Sequence, residues 1–477
     1  MTLTRRDFLW APAAASLARA AQSRKLNVLM IAVDDLNNRI GCYGDPVVKT
    51  PHIDGLARRG VRFDRSYCNY PLCNPTRTSL LSGKRPETTK VYDNNTPPRT
   101  HLGDIQFMPE YFKAHGYFTA RVGKIAHGLF EHQIQWDISE SRAGTPITQR
   151  TRLTDEDNQL AQKRRQAKQE RGRESGALEW RRTDRSDAEE PDGATARRIV
   201  EILEKQKKDP FFIGCGFHKP HLPWVAPKKY FDMYSINQIK LPNTPPDDRE
   251  DIPPIALTFR EGEDKMTDTQ RKEAILAYHA ATSFMDAQVG VVLDAVDRLK
   301  LWENTVIFLF GDHGWHLFDH LQLWRKMTVF EQAARAPLIF CAPGRQRGVG
   351  CPRLVEFVDL FPTLTELCGL PQAPGMEGTS FVPLLDNPQR PWKRAAFTMV
   401  ARGKNRFGRS VRTERYRYTE WDDENHSIEC YDHEMDPNEW TNIAWPTRPQ
   451  TDKVKAIRSE LQKLLRSGYK AALPPKV

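Results

Sequence analysis

The stretch Leu26-Asn27-Val28-Leu29-Met30-Ile31-Ala32-Val33 is almost continuously apolar and stops at Asp34-Asp35. Such a short run predicts a strand buried on both faces of a parallel sheet, since alternation is expected only where one face meets water. Two further runs repeat the design. Phe211-Phe212-Ile213-Gly214-Cys215-Gly216 leads into Phe217-His218-Lys219-Pro220-His221, and Thr305-Val306-Ile307-Phe308-Leu309-Phe310 leads into Gly311-Asp312-His313-Gly314. Ligands of open α/β sheets collect beyond the carboxyl ends of the strands, so three strands ending in carboxylates or histidines point to a site there. The intervals read as helices. Residues 270–300 carry Met285, Val289, Val292, Val296 and Leu299 near the 3.6-residue period, and residues 195–206 form a shorter amphipathic segment. The fold class is therefore α/β, a large mixed, mostly parallel sheet flanked by helices.

The 477 residues exceed what one core usually holds, about 250–300. After about residue 372 the texture changes to short β-like segments, Arg409-Ser410-Val411-Arg412 and Tyr416-Arg417-Tyr418-Thr419, followed by a basic helix near 451–467. A larger unit over 23–371 and a smaller C-terminal α+β unit with a short antiparallel sheet over 372–477 are expected. Within the first, residues 139–192 are rich in Arg, Glu, Gln and Asp, which predicts a charged, solvated insertion or a partly ordered helical excursion.

Arg5-Arg6, ahead of an alanine-rich stretch ending in Ala18-Arg19-Ala20, predicts a twin-arginine signal peptide over 1–22. That implies the twin-arginine export machinery as a partner and a periplasmic or extracellular destination in a bacterium. No run approaches the ~20 apolar residues of a membrane span, and mean hydropathy is −0.63, so no stable membrane insertion is expected. Formal charge is +10, and residues 1–20 carry three Arg and one Asp, which leaves +8. This balance suits a polyanion. None of the common nucleic-acid motifs occurs, so an anionic small molecule or polysaccharide is favoured and no nucleic acid is expected. The eight cysteines show no Cys-x-x-Cys spacing. With Cys73 set aside seven remain, so at most three intrachain disulfides can form and their pairing stays open.

Cys73-Asn74-Pro75-Thr76-Arg77 reads Cys-x-Pro-x-Arg. A proline in the first turn of a helix would set Cys73 near unpaired N–H groups, with Arg77 returning toward the same anion. Two readings stand at this point: an anion-facing reactive thiol, or a buried cysteine at an ordinary loop-to-helix junction. Asp34-Asp35 and Asp312 are hard oxygen donors of the kind that hold Ca²⁺ or Mg²⁺. An Asp-Asp pair can equally cap a helix, and the repeated strand-end carboxylate at Asp312-His313 favours the metal.

These residues resemble the signature of type I sulfatases, over nearly the whole mature chain. Further matches are Gly123-Lys124-Ile125-Ala126-His127-Gly128, Gly216-Phe217-His218-Lys219-Pro220-His221-Leu222-Pro223, Leu323-Trp324-Arg325-Lys326 and the late segment Cys430 to Asn442. Together they resemble the iduronate-2-sulfatase-like branch, whose fold is alkaline-phosphatase-like. Departures are Cys430, where the family usually has Leu, and Phe318-Asp319-His320, where relatives commonly carry Gly-Glu-His.

The resemblance implies that Cys73 is converted to Cα-formylglycine by a maturation enzyme. It also implies that Asp34, Asp35, Asp312, His313 and the modified Cys73 hold one divalent metal, Ca²⁺ with Mg²⁺ as the alternative. The hydrated aldehyde would attack sulfur, helped by Asp312. Arg77 would stabilise the gathered anions, Lys124 and Lys326 would neutralise sulfate oxygens, His218 would protonate the leaving sugar oxygen and His127 would accept the proton that releases sulfate. His316, His320 and Trp224 could line the leaving-group pocket, and His221 could act or merely fix the loop of His218. Asp93-Asn94-Asn95 to His101 is a candidate specificity loop. The implied substrate is a sulfated carbohydrate, with a 2-O-sulfated uronic acid as one form. The competing readings are a phosphodiesterase or phosphonate hydrolase of the same superfamily, and a non-catalytic sulfoglycan-binding protein.

Overall fold

Strand β1, Asn27–Val33, lies inside a large sheet with all seven residues buried. The computed structural model describes residues 25–146, 178–206, 210–260, 262–403 and 405–475. The expected signal peptide and residues 147–177 of the charged stretch lie outside them. The other strands of the sheet are β2 (Val61–Tyr67), β3 (Phe118–Gly123), β4 (Ile138–Arg142), β5 (Thr145–Pro146), β6 (Phe211–Phe217), β7 (Thr305–Gly311), β8 (Leu338–Cys341) and β9 (Val349–Glu356). Among the described residues their order is β9-β2-β8-β7-β1-β6-β3-β4-β5. Neighbours run parallel except around β8, which is antiparallel to β2 and β7, and at the β4–β5 edge. The sheet is mixed and mostly parallel, as the apolar runs predict.

The period-two geometry of a strand explains why β1 is apolar throughout. Val28, Met30 and Ala32 enter one core with Leu80, Phe112 and Leu364, from helices Cys73–Ser82, Met108–Ala114 and Leu360–Leu367. Leu29, Ile31 and Val33 enter a second core with Leu56, Ile199 and Met285, from helices Pro51–Arg59, Pro191–Gln206 and Asp268–Arg298. The last of these buries the expected stripe of Met285, Val289, Val292 and Val296, with Leu299 partly covered. It starts at a capping box, Thr267 Oγ1 accepting from Gln270 N at 3.2 Å and Gln270 Oε1 from Thr267 N at 2.8 Å.

The sheet's register levels the strand ends. Val33 pairs with Phe217 on one side and Gly311 on the other, so Asp34, His218 and Asp312 follow at the same height. Gly123 pairs with Gly216 next door. A Cβ on Gly216 would lie 2.3 Å from Lys124 N, so this close approach is open only to glycine and brings Lys124 over the end of β6.

Strands β10 (Ala396–Ala401), β11 (Phe407–Arg412), β12 (Tyr416–Trp421) and β13 (Ile428–Asp432) form an antiparallel sheet. Helix Asp452–Ser467 lays Leu461 and Leu464 on Val411 and Tyr418 of this sheet. The expectation of one solvated excursion over 139–192 does not hold at its two ends. Ser139 and Glu140 are buried in β4, Trp180–Thr183 pairs in parallel with Trp224–Pro227, and the helix already begins at Pro191. Charge misleads here because Glu140 is neutralised by Arg198 Nη2 at 2.8 Å. All eight cysteines are free.

Buried ionic networks join the small sheet to the large one. Glu356 accepts from Arg85 Nη1 and Nη2 at 2.7 and 2.8 Å, from Lys393 Nζ at 2.9 Å and from Phe397 N at 2.9 Å. In a second network Glu331 accepts from Tyr67, Arg412 and Arg417, and Arg417 also reaches Glu439 of the late motif. That motif therefore ties the chain together rather than entering the site. Glu356→Ala strands the buried Arg85 guanidinium, while Lys393 keeps Asp359 at 2.7 Å, and breaking a buried pair in this way costs about 3–5 kcal/mol. A urea melt is expected to show a correspondingly lower midpoint at unchanged slope; a midpoint shift worth less than about 1 kcal/mol would contradict this reading.

Candidate active site

The sequence-predicted residues converge beyond the carboxyl ends of β1, β3, β6 and β7. Three ladder-like hydrogen bonds extend one residue past the strands: Asp34 N to Phe217 O at 3.2 Å, Lys124 N to Gly216 O at 3.1 Å and Asp312 N to Val33 O at 3.0 Å. Asp35 takes a positive φ of 61° and donates its N–H to Asp312 Oδ1 at 3.0 Å. The left-handed turn is held from behind by Tyr278, whose hydroxyl donates to Asp35 O at 2.8 Å and accepts from Asn37 N at 2.9 Å.

Cys73 is the first residue of its helix and fully buried. Its Sγ lies 3.4 Å from His313 Nε2, 3.7 Å from Lys326 Nζ and 3.9 Å from Asp35 Oδ1. Burial, with Asp34 next, pushes the thiol up. Arg77, one turn on, donates from Nε to Asp312 Oδ2 at 2.8 Å and from Nη1 to Lys124 O and Ile125 O at 2.7 and 3.0 Å, while Nη2 lies 3.5 Å from Asp34 Oδ1. Lys124 Nζ pairs with Asp34 Oδ2, and Lys326 Nζ with Asp35 Oδ1 at 2.5 Å. Lys326 reaches in from the hairpin His316–Asp319/Leu323–Arg325, its ammonium 4.8 Å from the centre of the Trp315 ring.

The donor set fits a divalent cation. Asp34 Oδ1 and Asp35 Oδ2 are buried and make no hydrogen bond. Burial alone would raise the Asp34 carboxyl, but Lys124, His221 and Arg77 outweigh it and hold it well below the usual range. His313 Nδ1 faces Gly314 O at 2.9 Å and must donate to it, which leaves Nε2 as the nitrogen turned to Asp35 Oδ1 at 3.4 Å. Ligand atoms of Asp34, Cys73 and Asp312 lie within 4.8 Å of one another, as do those of Asp35, Cys73 and His313. A further acidic and histidine group, Glu331, His433 and Glu439, is already neutralised by Arg412 and Arg417 and does not call for an ion.

His218 Nδ1 stands 3.5 Å from Asp34 Oδ2 with the side chain 46% exposed, at the mouth of the site. The surrounding site's desolvation lowers its hold on a proton, Lys124 adding to the depression and Asp34 opposing it. His221 lies beside it, ring centres 4.8 Å apart, with Nε2 3.7 Å from Asp35 Oδ2. The geometry thus places His221 at the carboxylates as well as in the loop. His127 follows β3 and Lys124. It is held well below its ordinary value by burial and then Lys124, and its buried Nδ1 makes no hydrogen bond.

Three suggested lining residues are displaced. Trp224 has no exposed surface and packs edge-on against Tyr278 and Trp315. His316 Nε2 is bonded to Thr328 Oγ1 at 2.7 Å, and His320 pairs with Asp248 at 3.1 Å while stacking on Phe330. The candidate specificity loop meets the site through Asn74, whose N donates to Asn94 Oδ1 at 3.0 Å and whose Nδ2 donates to Asp93 O and Thr96 O at 2.9 and 2.8 Å. Asp192, unnoticed in the sequence, accepts from the backbone of His218 and Lys219; only the Pro191-Asp192 helix start could have hinted at it.

The family model described as Sulfatase matches residues 26–370, and that described as N-sulphoglucosamine sulphohydrolase, C-terminal matches residues 311–468. The chain is similar to a sulfatase of Formosa agariphila, 32% identical over 92% of this chain and 87% of the relative. It is also similar to iduronate 2-sulfatase of Homo sapiens, 34% identical over 75% and 71% of the two chains. Among solved structures it shares its fold with a 2-O GAG sulfatase at a TM-score of 0.70, 23% identity, 93% and 92% coverage. Phosphonate monoester hydrolase of Agrobacterium radiobacter shares it at 0.73, 22% identity, 93% and 95% coverage.

Proposed function

The chain belongs to the sulfatase family and is a sulfuric ester hydrolase, and from that premise we propose that it removes sulfate from a sulfated carbohydrate at the strand-end site. The observation that carries the reading is the grouping of Cys73 with three buried carboxylates, two of whose oxygens make no hydrogen bond, and with Arg77, Lys124 and Lys326. Asp34, Asp35, Asp312, His313 and position 73 would hold one divalent cation, Ca²⁺ or Mg²⁺, which when bound supplies positive charge to nucleophile and sulfate oxygens. Cα-formylglycine made from Cys73 would supply, as its hydrate, the attacking hydroxyl and a second hydroxyl for the release of sulfate.

The chain's own residues do the rest. Three carboxylates face three basic side chains, so a divalent cation leaves the site positive and ready for an anionic ester. Lys124 and Lys326 then flank the sulfate, and Arg77 holds Asp312 and the walls of the site. His127, kept neutral, accepts a proton. His218 sits at the open side, where the leaving sugar oxygen must depart, and is placed to protonate it. A bound sulfate would offset the charge of Lys124 and raise the hold of His218 on a proton. The names of relatives such as iduronate 2-sulfatase and the ulvan-active sulfatase of Formosa agariphila support a carbohydrate substrate, with a 2-O-sulfated uronic acid as one form.

We also assign residues 1–22 to twin-arginine export into the periplasm or beyond, and place the division between the two units near residue 372. Among the described residues no helix is long and apolar enough to cross a membrane. The test is sulfate release from carrageenan, ulvan, fucoidan and glycosaminoglycan oligosaccharides, run beside aryl sulfate and aryl phosphate diester. A strong preference for the diester would replace this reading by the phosphonate-hydrolase one.

A further inference from the structure

We propose that Asp192 is the positioning residue for His218, an inference that rests on reading His218 as the general acid. The Asp192 side chain is almost entirely buried and sits at the second residue of helix Pro191–Gln206. Its Oδ1 accepts from His218 N at 2.9 Å and its Oδ2 from Lys219 N at 2.8 Å. Both oxygens are thus committed to two successive backbone donors of another segment, and Asp192 forms no ion pair among the described residues. The segment it holds is otherwise bonded mainly to itself: His221 N donates to His218 O at 2.9 Å, and Lys219 Nζ donates to Pro223 O at 2.6 Å and His221 O at 3.3 Å.

The loop is therefore a small rigid unit, continuous with β6 and pinned at its first two residues by Asp192. Among the described residues half-exposed His218 makes no side-chain hydrogen bond, with Asp34 3.5 Å away and the His221 ring beside it, so the place of its imidazole depends on where its backbone is pinned. An aspartate suits the task and an asparagine does not. A carboxylate offers an acceptor to each N–H, whereas an amide offers one acceptor and turns its own NH₂ against the other donor. Asp192→Asn is expected to leave metal, nucleophile and sulfate contacts in place and to loosen the acid alone.

The test compares phenyl sulfates graded from 4-nitrophenyl, a leaving group that needs little protonation, to unsubstituted phenyl, which needs it most. His218→Ala should lower kcat on phenyl sulfate by about 10²-fold or more, with a much smaller loss on the 4-nitrophenyl ester. Asp192→Asn should show the same steepening at about 10-fold or more on phenyl sulfate, with KM changed little. A general loss of folding would instead depress both substrates alike. If His218→Ala steepens the dependence and Asp192→Asn does not, the positioning role is overturned while the acid assignment stands. If His218→Ala does not steepen it, the acid assignment falls and this inference with it. Should the Asn variant fail to fold, Asp192→Glu, with displaced acceptors, is read in the same way. A crystal structure of the folded variant gives an answer independent of turnover: His218 Nδ1 withdrawn from its 3.5 Å approach to Asp34 supports the role, and an unmoved ring overturns it.

Discussion

Cys73→Ala is expected to lower turnover by about 10⁴-fold or more, the loss typical of removing a nucleophile that acts as part of a unit. The expectation follows from placement. The side chain is fully buried at the first residue of its helix, its Sγ within 3.4–3.9 Å of His313, Lys326 and Asp35, so whatever position 73 carries is where cation, ammonium and ester must meet. An alanine there leaves Arg77 bonded to Asp312 and Lys124 to Asp34, because neither contact passes through the sulfur. Folding stability should change by about 1 kcal/mol, and calcium should still bind through the remaining ligands. Sulfate release, calcium calorimetry and melting temperature together make the check. The mass of the Cys73 peptide supplies a second arm, since activity across preparations should scale with the lighter, formylglycine-bearing fraction. Residual turnover above about 1% of wild type, or activity independent of conversion, would move the nucleophile elsewhere.

The strands that build the site were legible because each is both continuously apolar and chemically terminated. β1, β6 and β7 stand side by side, so one short window per strand carried the burial and the ligand together. Lys124 and Lys326 were harder, since nothing local distinguishes them from surface lysines, and only resemblance singled them out. What sequence could not supply was long-range support. Tyr278 bonds Asp35 across 243 residues, and Asp192 holds a loop 26 residues away that has passed through a strand of the sheet. Burial was the other blind spot. Trp224, His316 and His320 have side chains that would serve a pocket, yet a core with one hydrogen-bond partner apiece for the histidines accommodates them equally well, and nearness in sequence to the motifs does not decide between the two. Glu140 erred in the opposite direction, a charge in a charged stretch that its arginine allows to be buried.

Asp34→Asn is expected to cost about 10³-fold in turnover and to abolish the stabilising effect of calcium. Asp34 pairs with Lys124, approaches Arg77 at 3.5 Å and His218 at 3.5 Å, and its Oδ1 makes no hydrogen bond. The isosteric amide keeps the volume and removes one of three negative charges set against three basic side chains. Without metal, the variant therefore holds an uncompensated buried cation and should be less stable than wild type by about 3–5 kcal/mol. With metal, the wild type gains further: a ligand at 100 times its dissociation constant adds about 2.7 kcal/mol. Chelation should then lower the melting temperature of the wild type and leave that of Asp34→Asn unmoved, because the variant has little bound calcium to lose. The same comparison separates a metal ligand from a mere salt-bridge partner. If Asp34 served only to neutralise Lys124 and Arg77, the variant would be less stable yet would still respond to the chelator as the wild type does. A wild-type protein indifferent to chelation, in both melting temperature and turnover, would remove the cation from the site altogether and leave Arg77 and the paired lysines as the positive charge available to the ester.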